Sequence, residues 1–152
     1  MRDARDDAGA AAVEFVALTL VLLLPLVYLV VAVTRVQSGA YAAEAAAYAA
    51  ARAAVVRGLD ALDSGAGTEA ALGVARDAAG LAADVTAADF GVDDVAIELG
   101  CEGACLAAGS AVTARASVRV PLPGLPSVLR AAIPARVTVE ATGASPVDGY
   151  VP

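Results

Sequence analysis

Nineteen consecutive residues, Phe15 to Val33 (FVALTLVLLLPLVYLVVAV), carry no formal charge and are interrupted only by Thr19, Pro25 and Tyr28. As a helix such a run is about 29 Å long, close to the ~30 Å hydrocarbon core of a bilayer. A chain in hydrocarbon must satisfy its backbone hydrogen bonds internally, so this run is predicted to cross a membrane as a helix. Whatever follows then folds on one side of that membrane. A secretory signal peptide fits less well, because its apolar core is ~7–15 residues and ends at a small-residue cleavage site. Here the run is longer, and the Ala-rich stretch after it continues as helix. The hydrophobic fraction of 59% is inflated by the span and by alanine.

Glu14 stands immediately before the run. A carboxylate at the centre of a membrane helix costs ~2.5–3.5 kcal/mol, so this one needs either the membrane surface or a partner. At the surface, an acid in the first turn also suits the helix dipole. The alternative rests on spacing. Gly9 closes a short charged leader, MRDARDDAG, Glu14 is the fifth residue after it, and Phe15 follows. This arrangement resembles the processing site of type IV pilin-like proteins. The resemblance implies that a prepilin peptidase on the cytoplasmic face cuts between Gly9 and Ala10. It also implies that Glu14 pairs during assembly with the freed amino group of a neighbouring subunit, giving a buried charge its partner.

The 152 residues leave room for one span and one small domain, with roughly 95 residues after Gly58. The chain has no His and no Trp, so the commonest general base and metal ligand is missing. No enzyme, metal site or cofactor is expected. Asp93 and Asp94 are the one adjacent carboxylate pair considered for hydrolysis, and as neighbours on a strand they would point to opposite faces. The net charge is −7, and every basic residue is Arg. Removal of residues 1–9 leaves eight Arg against fourteen acids, a charge of −6. Such a surface repels phosphate backbones and anionic lipid head groups, and no Arg cluster stands out against it, which disfavours nucleic acid as a partner.

Arginines flank the run on both sides, so the positive-inside rule comes close to a draw. Cys101 and Cys105 make most sense in an oxidising compartment, which places the amino terminus inside and the domain outside. Within the span, Pro25 either bends the helix locally or is simply tolerated. Beyond it, residues 34–57 (TRVQSGAYAAEAAAYAAARAAVVR) are predicted to continue the helix, with Gly39 the one residue against continuity. Tyr41, Tyr48 and Val55 recur at seven-residue spacing and are read as a packing stripe, against either this chain's own domain or another subunit. Gly58 to Gly67 reads as a break. Thr68 is then expected to cap a second helix over 68–84, with Leu72, Ala75, Ala79 and Ala82 on its apolar face.

The period next changes to two. Residues alternating around Val95, Ile97 and Leu99, around Val112 to Val120, and around Val137 to Ala141 predict three antiparallel strands with one face on the helices. Arg on one strand and Glu on another can pair across the outer face. Cys101 and Cys105 enclose three residues and are compatible with a small disulfide loop, free thiols being the alternative. Residues 121–134 (PLPGLPSVLRAAIP) carry four prolines and read as a loop with a short helical turn near Ser127 to Ala132; the tail after Gly143 reads as irregular.

The leader-Gly-Glu-Phe opening, the helix SGAYAAEAAAYAAARAAVVRG, the Cys-bearing loop and the segment VRVPLPGLPSVL before a last strand together resemble the TadE-like proteins of tight-adherence (Flp) pilus systems. The resemblance implies a minor pilin or pseudopilin. Its partners would be the prepilin peptidase, other pilins and pseudopilins, inner-membrane pilus assembly proteins and membrane lipid. The competing function is an uncleaved single-pass envelope scaffold for a secretion or adhesion apparatus. The expected fold is α+β: a transmembrane helix extended into a long Ala-rich helix, then a second helix on a three-stranded antiparallel sheet with room for a fourth strand. The expected segments are 1–9 leader, 10–36 span, 37–58 helical extension and 59–152 outer domain.

Overall fold

The computed structural model describes residues 3–122 and 136–148, with side chains from Gly9 onward. Five elements follow in order: α1 (Asp3–Asp63), α2 (Thr68–Asp89), β1 (Val95–Glu102), β2 (Ala111–Pro121) and β3 (Arg136–Pro146). The fold is α+β. The helical turn expected near Ser127 to Ala132 lies outside the described residues.

Helix α1 is unbroken through 61 residues, about 90 Å, and includes Pro25, Gly39 and Gly58. The break expected over Gly58 to Gly67 is confined to the end of that stretch, between Asp63 and Thr68. Gly58 is buried, and a Cβ there would come within 2.7 Å of Leu106 Cδ1 and 3.3 Å of the Ala75 Cβ. Glycine serves here for close approach, not for a turn. The turn comes at Gly65, whose φ is +88°. The Gly65 amide donates to the Leu62 carbonyl at 2.9 Å and the Ala66 amide to the Ala61 carbonyl at 3.0 Å, closing the helix end in a Schellman arrangement.

The cap expected at Thr68 is also shifted by one residue. Gly67 holds the N-cap position without a side-chain hydrogen bond, and Thr68 is the first helical residue. Helix α2 continues five residues past the expected end at Asp84, to Asp89. Its buried face is Ala71, Ala75, Ala79, Ala83 and Ala87, a strict four-residue repeat, while Leu72 and Ala82 flank it half-buried. On α1, Ala42, Ala46, Ala50 and Ala54 repeat at the same interval beside Ala43, Ala47 and Ala51, and all are fully buried. Methyl groups in place of longer side chains let the two helices approach closely, so dispersion contacts replace large buried areas.

The sheet has the order β1-β2-β3 among the described residues and is antiparallel throughout. Val95 faces Val118, Cys101 faces Val112, and Pro121 faces Arg136. Central β2 buries Val112, Ala114, Ala116, Val118 and Val120 against the helices, while Arg115 and Arg119 face outward. The expected cross-strand pairing is present as Arg115–Glu140 at 3.9 Å, an exposed ion pair of little energetic weight. Strand β3 runs to Pro146, beyond the irregular tail expected after Gly143. Ser145 pairs with Val112 in register, and Val147 continues the pairing through its amide to the Ser110 carbonyl at 2.9 Å before burying its side chain in the core.

Cys101 and Cys105 form a disulfide, with their Cα atoms 5.3 Å apart. The loop it closes leads directly to Leu106, a non-glycine residue at φ 61° whose side chain is 5% exposed in the core. The left-handed backbone costs Leu106 ~1–2 kcal/mol, offset by the burial of its side chain over Gly58 and Ala75. Replacing both cysteines by serine removes closure of a very short loop, for which chain entropy gives about 2 kcal/mol at most. We expect the melting temperature of the full chain in detergent to fall by several degrees, with circular dichroism retained at 25 °C. An unchanged melt would mean that Leu106 holds the loop without the bridge.

Candidate functional site

The two halves of α1 differ in what surrounds them. Between Gly39 and Gly58 the helix is the centre of the domain, packed by α2 on one side and by β2 and β3 on another. The 37–58 stretch expected as an extension is thus where most of the helical core residues lie. Toward the amino terminus the helix leaves the domain bare. Phe15 is 71% exposed, and no residue from Gly9 to Val33 is buried. The segment is long and apolar enough to cross a membrane, and none of its apolar window is covered by the protein, unlike a core helix of similar composition. So large an uncovered apolar surface is stable only in lipid or against other helices.

The two threonine hydroxyls in and beside this segment are satisfied by the helix itself. The Thr19 hydroxyl donates to the Phe15 carbonyl at 2.8 Å, and the Thr34 hydroxyl to the Val30 carbonyl at 2.9 Å. Such back-bonding to the preceding turn removes the cost of a free hydroxyl in hydrocarbon. Glu14 has no such partner among the described residues. It is exposed on the helix and forms no ion pair with a described residue. Gly9, Ala10 and Phe15 are also exposed and helical, and nothing lies within 4 Å of a Cβ built on Gly9. The leader's described residues continue the helix without a corner.

Tyr41, Tyr48 and Val55 do not share one environment. Tyr41 and Tyr48 are 64% and 54% exposed, whereas Val55 is buried. Seven residues on a helix of 3.6 per turn fall about 20° short of two turns, so the stripe rotates from solvent into the core over its length.

Asp93 and Asp94 lie in the loop before β1 and not on a strand, so the opposite-faces expectation does not hold for them. Both line a cavity of about 240 Å³ together with Arg35, Arg119 and Arg136. Asp94 accepts an ion pair from Arg119 at 3.2 Å. No group of three or more metal-ligating side chains is assembled among the described residues. Nor is any polar or charged side chain buried among them.

Comparison with protein-family models, with curated proteins and with solved structures finds no match to this chain. Function is therefore read from its own geometry. Sequence reasoning missed Leu106 and this cavity. A lone leucine in the loop GACLAAGS was the available signal for the first. The second is built from residues as far apart as Arg35 and Arg136, which only the fold brings together.

Proposed function

We propose that this chain is a membrane-anchored minor pilin or pseudopilin of a Flp/Tad-type pilus, processed by a prepilin peptidase and required for pilus assembly. The observation that carries the reading is a single helix with two roles. Its apolar half, Phe15 to Val33, is bare, while its alanine half is built into a small domain. A subunit so made can lie in a bilayer before assembly and pack its helix against other helices after it, without refolding its domain. Glu14 sits at the lip of the apolar run without a described partner, where the amine released by a cut after Gly9 would supply one. The disulfide supports an extracytoplasmic domain and a cytoplasmic amino terminus. The chain then acts through assembly contacts, not through catalysis.

Intact mass and amino-terminal sequencing of protein from its native membrane test the reading, with and without the co-resident prepilin peptidase. A mature chain beginning at Ala10, lost on peptidase deletion, is the expected result. Gly9 substituted by a bulky residue should leave the leader attached. A chain still beginning at Met1 in the presence of the peptidase would remove the amine that Glu14 is to meet. The uncleaved envelope scaffold would then be the better account.

A further inference from the structure

The cavity beside Arg35 lies at the end of the domain nearest the apolar run. We propose that it binds the phosphate-bearing headgroup of a membrane phospholipid, a proposal that rests on the reading of α1 as a span. Arg35 is two residues beyond Val33, so it stands about 3 Å past the end of the run, and Ser38 about 7.5 Å past it. The headgroup layer on each side of a bilayer is roughly 5–7 Å thick. Both α1 residues that line the cavity therefore fall at or beside that layer.

Charge favours the same ligand. Among the described residues, Arg35, Arg119 and Arg136 face Asp93 and Asp94 across one space, which leaves one net positive charge from them, against −7 for the whole chain. Arg119 is held by Asp94 at 3.2 Å, and its amide also donates to the Asp94 carbonyl at 3.3 Å, which fixes that wall. Arg35 approaches from α1 and Arg136 from the first residue of β3. Two guanidinium forks from different elements suit the oxygens of a phosphate diester better than a single point charge does. Phe90, 39% exposed, lines the same cavity, and an aromatic ring is favoured at the depth where headgroup meets acyl chain. In that layer the phospholipid phosphates are the anions at highest local concentration. The domain would in this way be seated on the membrane by a second contact besides its helix.

The test uses the full chain in nanodiscs of phosphatidylethanolamine and phosphatidylglycerol, released for native mass spectrometry. The wild type is expected to retain one phospholipid per chain. Arg136→Gln, distant in sequence from the span, should lower the retained fraction about tenfold. Arg52→Gln, an exposed arginine outside the cavity, should leave it unchanged. Millimolar inorganic phosphate should not displace the lipid. Equal retention by Arg136→Gln and the wild type, with both integrated in membranes, would overturn the proposal, as would displacement by inorganic phosphate alone. Extraction of the wild type from membranes by alkaline carbonate would instead overturn the span on which the proposal rests.

Discussion

Replacing Gly143 by valine is expected to destabilise the domain by about 3 kcal/mol or more, a large share of the ~5–15 kcal/mol that holds a small domain together. A Cβ built at this position falls 2.6 Å from both the Ala47 carbonyl carbon and the Tyr48 amide nitrogen, and 2.8 Å from the Ala47 oxygen. Those atoms belong to the backbone of α1, where Ala46, Ala47, Ala50 and Ala51 are fully buried on either side. The helix cannot yield without losing its alanine contacts, and β3 cannot yield without breaking its register with β2 at Ala114. Even Gly143→Ala should therefore lower the thermal midpoint of the full chain in detergent. Gly80 provides the control. It lies in α2 with nothing within 4 Å of a built Cβ, and Gly80→Ala should be neutral or stabilise by about 0.5–1 kcal/mol. Matching melts for Gly143→Ala and the wild type would show that the sheet does not rest on α1 at this point.

The two glycine roles also explain what could be read from the sequence and what could not. Strands β1, β2 and β3 were legible because a sheet covered on one face writes its alternation directly into the chain, as in Val95, Ile97 and Leu99. The span was legible because lipid demands length and apolarity together. Glycine is different. Gly58 and Gly65 lie within one short stretch, yet the first serves close packing inside α1 and the second a left-handed helix end. Composition does not distinguish these uses, since both follow from the same missing Cβ. The buried face of α2 was legible only in part, at Ala75 and Ala79 but not at Leu72 and Ala82, for a related reason. In a segment made mostly of alanine there is no contrast between apolar and polar faces, so the four-residue repeat of Ala71 to Ala87 leaves only a weak periodic trace.

The seven-residue recurrence of Tyr41, Tyr48 and Val55 shows the opposite hazard. Its large side chains stand out against alanine and suggest a common face, but the helix rotates them through different surroundings. Where methyl groups form the interface, Tyr41 and Tyr48 are left outside it, while the smaller Val55 is buried. The exposed tyrosines thus mark where the domain's own packing ends on α1. That leaves the Tyr41 and Tyr48 side chains more than half exposed on α1.

One arginine in the apolar run should be survivable, and two should not. The run contains seven Leu, six Val and Phe15. At about −0.3 to −0.6 kcal/mol each, these fourteen residues favour insertion by roughly 4–8 kcal/mol, part of which Thr19, Pro25 and Tyr28 offset. A single arginine near the centre costs ~2.5–3.5 kcal/mol, so Leu22→Arg is expected to remain in the carbonate-resistant membrane fraction. Adding Leu26→Arg places a second charge one turn away on the same face, bringing the cost to about 5–7 kcal/mol plus repulsion between them. The double variant should appear in the carbonate-soluble fraction. Its domain should still fold, because among the described residues none before Gly39 is buried. Failure of the double variant to leave the membrane would mean that another part of the chain anchors it. A helix that only rested on the surface would respond differently again, since a single arginine on its buried face would already release it. The contrast between one charge and two therefore separates a spanning helix from a peripheral one by magnitude alone.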